Sequence, residues 1–119
     1  MPHGGAQYTD EMYEETLCCV EEVIKSAREA RLMNILGTDA NAVIGACAAT
    51  DDVNIIGAYG IGQRNHCGDM FAAWAHGMRI AAVNTMFQKP WEGIWTHESW
   101  SDHTKRQIDF ALIDEVRLD

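Results

Sequence analysis

A helical apolar repeat runs directly into an extended apolar run with no linker between them, and this junction places the chain in the α/β class. From Thr9, a residue suited to an N-cap and followed by Asp10 and Glu11, apolar side chains recur at Tyr13, Leu17, Val20, Ile24 and Ala27, the spacing of one helical face. Lys25, Arg28 and Arg31 suit the negative end of the helix dipole, so the helix is expected to end near Arg31. Residues 32–38 then read as a strand, and a helix feeding straight into a strand is half of an α/β unit. The strand closes in Gly37-Thr38-Asp39-Ala40-Asn41-Ala42. Its carboxylate and amide, two residues apart, are expected on one face of an extended strand end, where they would grip a divalent cation, a phosphate or an attacking water.

The rest of the chain supplies the remaining layers. Residues 46–68 read as loop, punctuated by Asp51-Asp52 and by glycines at 57, 60, 62 and 68. Within it, Gly60-Ile61-Gly62-Gln63-Arg64-Asn65 lacks the strand-then-helix context of a dinucleotide-phosphate loop. A second helix is expected over residues 67–76, with Asn65 near its start, Phe71, Trp74 and Ala75 toward the core, and Gly77 as its stop. Residues 80–85 read as a buried strand, and residues 93–98 and 106–113 as an antiparallel pair. Asp109 stands in an apolar strand, between Ile108 and Phe110, where a lone carboxylate must find a partner or take up a proton.

Length and charge narrow the function classes. The chain has 119 residues, 47% of them hydrophobic, enough for one modest core belonging to one domain or to part of one. It has no run of about 18 apolar residues and no signal-peptide pattern at its start, so a soluble intracellular protein without a membrane partner is expected. Cys18, Cys19, Cys47 and Cys67 fit neither a zinc knuckle nor a disulfide framework and read as reduced, buried thiols. Nine basic residues against eighteen acidic ones give a net charge of −9, which opposes general affinity for nucleic acid. Part of that acidity lies on the first helix, at Asp10, Glu11, Glu14, Glu15, Glu21, Glu22 and Glu29, where water solvates it.

Several segments taken in order resemble one family. Met1-Pro2-His3 before an acidic helix, the run from Gly37 through Asp39 and Asn41 to Gly45, and Gly60-Ile61-Gly62-Gln63-Arg64-Asn65 with Gly68 come first. Val83-Asn84-Thr85-Met86-Phe87, Trp95-Thr96 and Arg106-Gln107-Ile108-Asp109-Phe110 follow. Together they resemble the endonuclease/exonuclease/phosphatase superfamily, above all the endonuclease domains of non-LTR retrotransposons and the related craniofacial development protein 2-like sequences. The resemblance implies part of a two-sheet α/β sandwich, the DNase I-like fold, with a mixed sheet, flanking helices and an active site at the strand ends. It also implies that residues 1–119 are a partial domain, its C-terminal part. The family's active-site tyrosine and metal-binding Asn and Glu would precede it, and the Ser-Asp-His carrying the catalytic histidine would follow Asp119. Ser101-Asp102-His103 does not replace that triplet, because it precedes the Ile-Asp strand instead of following it. Ala40 stands where the family usually carries an aromatic residue.

By the same resemblance Asp39 orients or deprotonates the attacking water, Asn41 donates to a phosphate oxygen, and Asp109 partners the catalytic histidine. Asp39 and Asn41 would also hold Mg2+ or Mn2+, and His3, Asn41 and Thr96 would touch phosphate or DNA. The alternative for Asp39 and Asn41 is a simple turn after the strand. The expected function is therefore a fragment of a retrotransposon-type, metal-dependent DNA endonuclease with no appreciable turnover alone. A phosphatase of the same superfamily and a non-catalytic interaction module are the alternatives. DNA, the missing half of the domain or a second copy are the expected partners, in an intracellular setting that includes the nucleus.

Overall fold

A computed structural model of the chain describes residues 9–90, 95–98, 101, 103 and 105–114; His3, Trp91, Trp100 and Asp102 lie outside these. The elements are α1 (Asp10–Glu29), β1 (Ile35–Asp39), α2 (His66–Met78), β2 (Ile80–Ala82) running into a short 3-10 turn (Val83–Thr85), β3 (His97–Glu98), β4 (Lys105–Arg106) and β5 (Asp109–Asp114).

Helix α1 starts where expected. The Thr9 hydroxyl accepts the Met12 N–H at 3.2 Å, and Tyr13, Leu17 and Ile24 are buried along one face. Its end differs. Arg31 takes a left-handed conformation (φ 62°) and the Leu32 N–H reaches back to the Ala27 carbonyl at 2.8 Å, so β1 begins three residues later than residue 32. Of the apolar run, Leu32, Met33 and Ile35 are exposed while Asn34 is buried. A polar tie causes this inversion. Asp114 accepts the Asn34 N–H at 2.8 Å and its side-chain amide at 3.0 Å, and the Arg28 guanidinium closes on the same carboxylate at 2.6 Å.

The sheet has the order β1-β5-β2 and is antiparallel throughout. The mixed sheet that was expected reduces to one isolated parallel bridge between Ile56 and Ala82. Alternation along β5 turns Phe110 and Leu112 into the core shared with Tyr13, Leu17, Ile24 and Phe71, and the Phe110 and Phe71 rings stack at 5.9 Å. The same alternation leaves Ile35, Gly37 and Asp39 of β1 on the outward side.

Two further boundaries move. Gly77 does not stop α2; the helix continues to buried Met78, and Arg79 caps it in the left-handed conformation (φ 55°). Burial of Met78 outweighs the weak helix preference of an exposed glycine. The expected pairing of residues 93–98 with 106–113 survives among the described residues only as the two-residue ribbon β3–β4, with His97 opposite Arg106 and Glu98 opposite Lys105. Beyond it the strand leaves for the main sheet, because Phe110 and Leu112 have a core to enter there.

Candidate functional site

Asp39 is the last residue of β1 and Asp109 the first of β5, and the register sets them directly opposite. Opposed residues of an antiparallel pair point to the same face with Cβ atoms about 5 Å apart, so two carboxyl groups meet at the sheet's end. Burial raises the Asp109 pKa, and the facing Asp39 charge raises it further. A hydrogen bond from the Thr96 hydroxyl and the charge of His97 pull the other way. The apolar setting of Asp109 read from the sequence thus has its physical consequence: two like acids share an interaction that favours keeping one proton.

Thr96 does more than touch that carboxyl group. Its hydroxyl accepts the N–H groups of Ile108 at 2.9 Å and Asp109 at 3.0 Å, pinning the point where the chain leaves the ribbon for β5. On the opposite side Asn84 donates to the Asp109 carbonyl at 2.9 Å and accepts the Ala111 N–H at 2.7 Å. Its amide takes the place of a neighbouring strand where β2 has ended. Asn84 carried no expected role, although it sits in one of the segments that resemble the family.

Asn41 is not where the strand-end reading put it. Its φ is 48°, and its N–H donates to Asp39 Oδ1 at 3.2 Å, so the two residues form an Asx turn and do not share one face of an extended strand. The Asp carboxylate captures the amide two residues on, and Asn tolerates the left-handed conformation that results. The turn directs Asn41 to the wall of a cavity of about 310 Å³, lined also by Val43, Asn65, Cys67, His97, Arg106 and Ile108. Asp39, Asp109 and Thr96 therefore come together in direct contact, and Asn41 adjoins them; His3 lies outside the described residues.

The turn is held from behind by the glycine-containing loop, which is a clasp and not a phosphate cradle. Asn65 donates its N–H to the Val43 carbonyl at 3.1 Å, while its side-chain oxygen accepts the N–H groups of Val43 at 3.2 Å and Gly68 at 2.7 Å. Arg64 donates from Nε to the Ile44 carbonyl at 2.7 Å and forks onto Asp51 at 2.5 Å and 3.2 Å. A Cβ on Gly68 would lie 2.0 Å from the Val43 carbonyl oxygen, so only glycine permits this approach. In front of the clasp the Tyr13 hydroxyl donates to the carbonyl of fully buried Ala40 at 2.9 Å, and burial raises that phenol's pKa.

Asp39, Asp109 and the Asn41 amide offer oxygen ligands, and Mg2+ or Mn2+ is commonly bound through one or two carboxylates with water completing the shell. Among the described residues no group of three or more His, Cys, Asp or Glu side chains is arranged to hold a metal. None of the described helices is long and apolar enough to cross a membrane.

Over 93 residues, 78% of the chain, the sequence is 26% identical to a Bos taurus protein called craniofacial development protein 2. The chain spans only 15% of that relative's length. No protein-family model matches the chain, and no solved structure matches it.

Proposed function

We propose that the chain carries the strand-end portion of a metal-dependent phosphodiesterase of the endonuclease/exonuclease/phosphatase superfamily, of the endonuclease kind, and that these 119 residues alone do not turn over DNA. The observation supporting this reading is the facing pair Asp39 and Asp109, two carboxyl groups set together at a strand end with Asn41 and Thr96 beside them. A like-charged pair is unfavourable in isolation, and a cation with a phosphate between its arms gives it a use.

In this reading Asp39 orients and deprotonates the water that attacks phosphorus in line, and the Asn41 amide donates to a non-bridging oxygen as charge accumulates. Asp39 and Asn41 would hold Mg2+ or Mn2+, which when bound supplies charge neutralisation at the phosphate. Thr96 and Asn84 act as positioning residues by fixing the backbone of Asp109 from either side. The outward sheet face at Ile35 is then the face that the remainder of the domain covers.

Two measurements test this. Mn2+ added to isotopically labelled chain is expected to broaden the backbone amide signals of Asp39, Asn41 and Thr96, and Asp39→Asn to abolish the effect; uniform signals throughout would refute the cation site. Supercoiled plasmid incubated with the chain and Mg2+ is expected to stay intact. Robust nicking lost in Asp39→Ala would overturn the inactivity of the isolated chain, and phosphoinositide hydrolysis without nicking would replace the nuclease by a phosphatase.

A further inference from the structure

The cavity beside the acid pair is lined by two basic side chains and by no carboxylate among the described residues. Its rim carries Arg106 of β4 and His97 of β3, cross-strand neighbours on one face of the ribbon. Its walls add the side chains of Asn41 and Asn65, the apolar surfaces of Val43 and Ile108, and the Cys67 thiol, whose pKa is raised by burial and by the charge of Asp10. Lys25, Arg28, Arg64 and Arg79 each pair with an acid, whereas Arg106, like Arg31, Lys89 and Lys105, pairs with none among the described residues, and of these four it alone lines the cavity. At about 310 Å³ the cavity has room for a phosphate group and several waters.

The two faces of the ribbon differ in a way that bears on its use. Lys105 and Glu98 face each other on the side away from Arg106; the Lys105 ammonium lies 5.1 Å from the centre of the Trp95 ring, and Glu98 lies 3.5 Å from His103. The cavity side places the Arg106 guanidinium beside His97, whose charge also reaches Asp109. In a chain of net charge −9, a polyanion can approach only where cations are locally concentrated, and a guanidinium fork matches phosphate oxygens in geometry as well as charge.

We infer that this cavity is a second phosphate subsite, in which Arg106 and His97 hold a backbone phosphate of a nucleic-acid strand next to the one presented to Asp39 and Asp109. The inference rests on the nuclease reading only for the nature of the strand. Arg106 is thereby a specificity residue: it selects a polynucleotide, with phosphates in series, over a small phosphomonoester.

The test is fluorescence anisotropy of a short labelled single-stranded oligonucleotide titrated with the whole chain at several salt concentrations. Arg106→Gln is expected to weaken binding about tenfold, the loss of one charge-assisted contact, and to lower the salt slope by about 0.7. Lys105→Gln removes the same charge from the opposite face and is expected to change affinity less than about twofold. Equal losses from both variants, or no loss from Arg106→Gln, would overturn the subsite. Should Arg106→Gln lower the thermal midpoint, Arg106→Lys keeps the charge without the fork, and wild-type affinity in that variant would overturn the bidentate contact. Tighter binding of inorganic phosphate than of the oligonucleotide would overturn the strand assignment. Asp39→Asn separates the two readings: an Arg106 dependence that persists in that background, with Mn2+ broadening absent from the parent chain, leaves the subsite standing and removes only the catalytic proposal.

Discussion

The clasp around residues 42–45 and the acid pair at Asp39 and Asp109 are a few residues apart, yet they obey opposite rules. In the clasp, main-chain groups of Val43 and Ile44 meet donors and acceptors from Asn65 and Arg64, and the glycines let two backbones touch. At the acid pair, burial and a like charge both work against ionisation of Asp109. The contrast sets an unfavourable arrangement directly beside a favourable one, the pattern expected where a fold keeps a site ready at some expense to stability.

That contrast can be broken by making the clasp fail. Arg64→Ala is expected to destabilise by about 3 kcal/mol, because it takes the guanidinium fork from the Asp51 carboxylate, whose side chain is only 5% exposed and keeps only the Ala48 N–H and the more distant His76 ring. The measurement is a urea midpoint at unchanged slope. Arg64 holds the Asp51 pKa below its ordinary value through hydrogen bonding, so the parent's stability from this pair is present at neutral pH and is lost as pH falls through the depressed folded pKa. Gly68→Ala follows at about 2–3 kcal/mol, from the clash with the Val43 carbonyl. Asn65→Ala should cost about 1–2 kcal/mol as a lost helix cap, with the Val43 N–H also left without its acceptor. Mild effects from all three would mean that the clasp is not what holds the acids.

The smallest effect has the opposite sign and sharpens the comparison most. The folded pKa of Asp109 lies above its unfolded value, so the folded chain binds more protons between those values; the contribution favours folding in acid and is lost as pH rises through the folded pKa. Asp109→Asn is therefore expected to be more stable than the parent at neutral pH, by less than about 1 kcal/mol, as for other facing like charges. The gain should vanish below pH about 4, where the parent's acid is protonated as well. A variant less stable than the parent at neutral pH would show that the pair is not frustrated.

Local chemistry made much of this legible from sequence. Thr9 and Asn65 announced both helix starts, and Asp109 between Ile108 and Phe110 announced a perturbed acid. What escaped depends on residues distant along the chain. The start of β1 is set by Asp114 reaching back to Asn34 and Arg28, a tie that no window around residue 32 contains. The end of α2 is set by a place for Met78 in the core, invisible beside the obvious glycine. Asp39 and Asn41 had a turn as their alternative reading, and the turn is what the chain adopts. Their spacing was informative, but about a captured amide and not about a shared strand face.

Asn84 has a consequence for access. A β-strand that outlasts its neighbour normally exposes unpaired amide and carbonyl groups, an invitation for another segment to pair there. At Asp109 and Ala111 a single carboxamide closes those positions, so the sheet terminates without needing a further strand. The substitution Asn84→Ala would free those groups and expose a sticky edge at the threshold of the site.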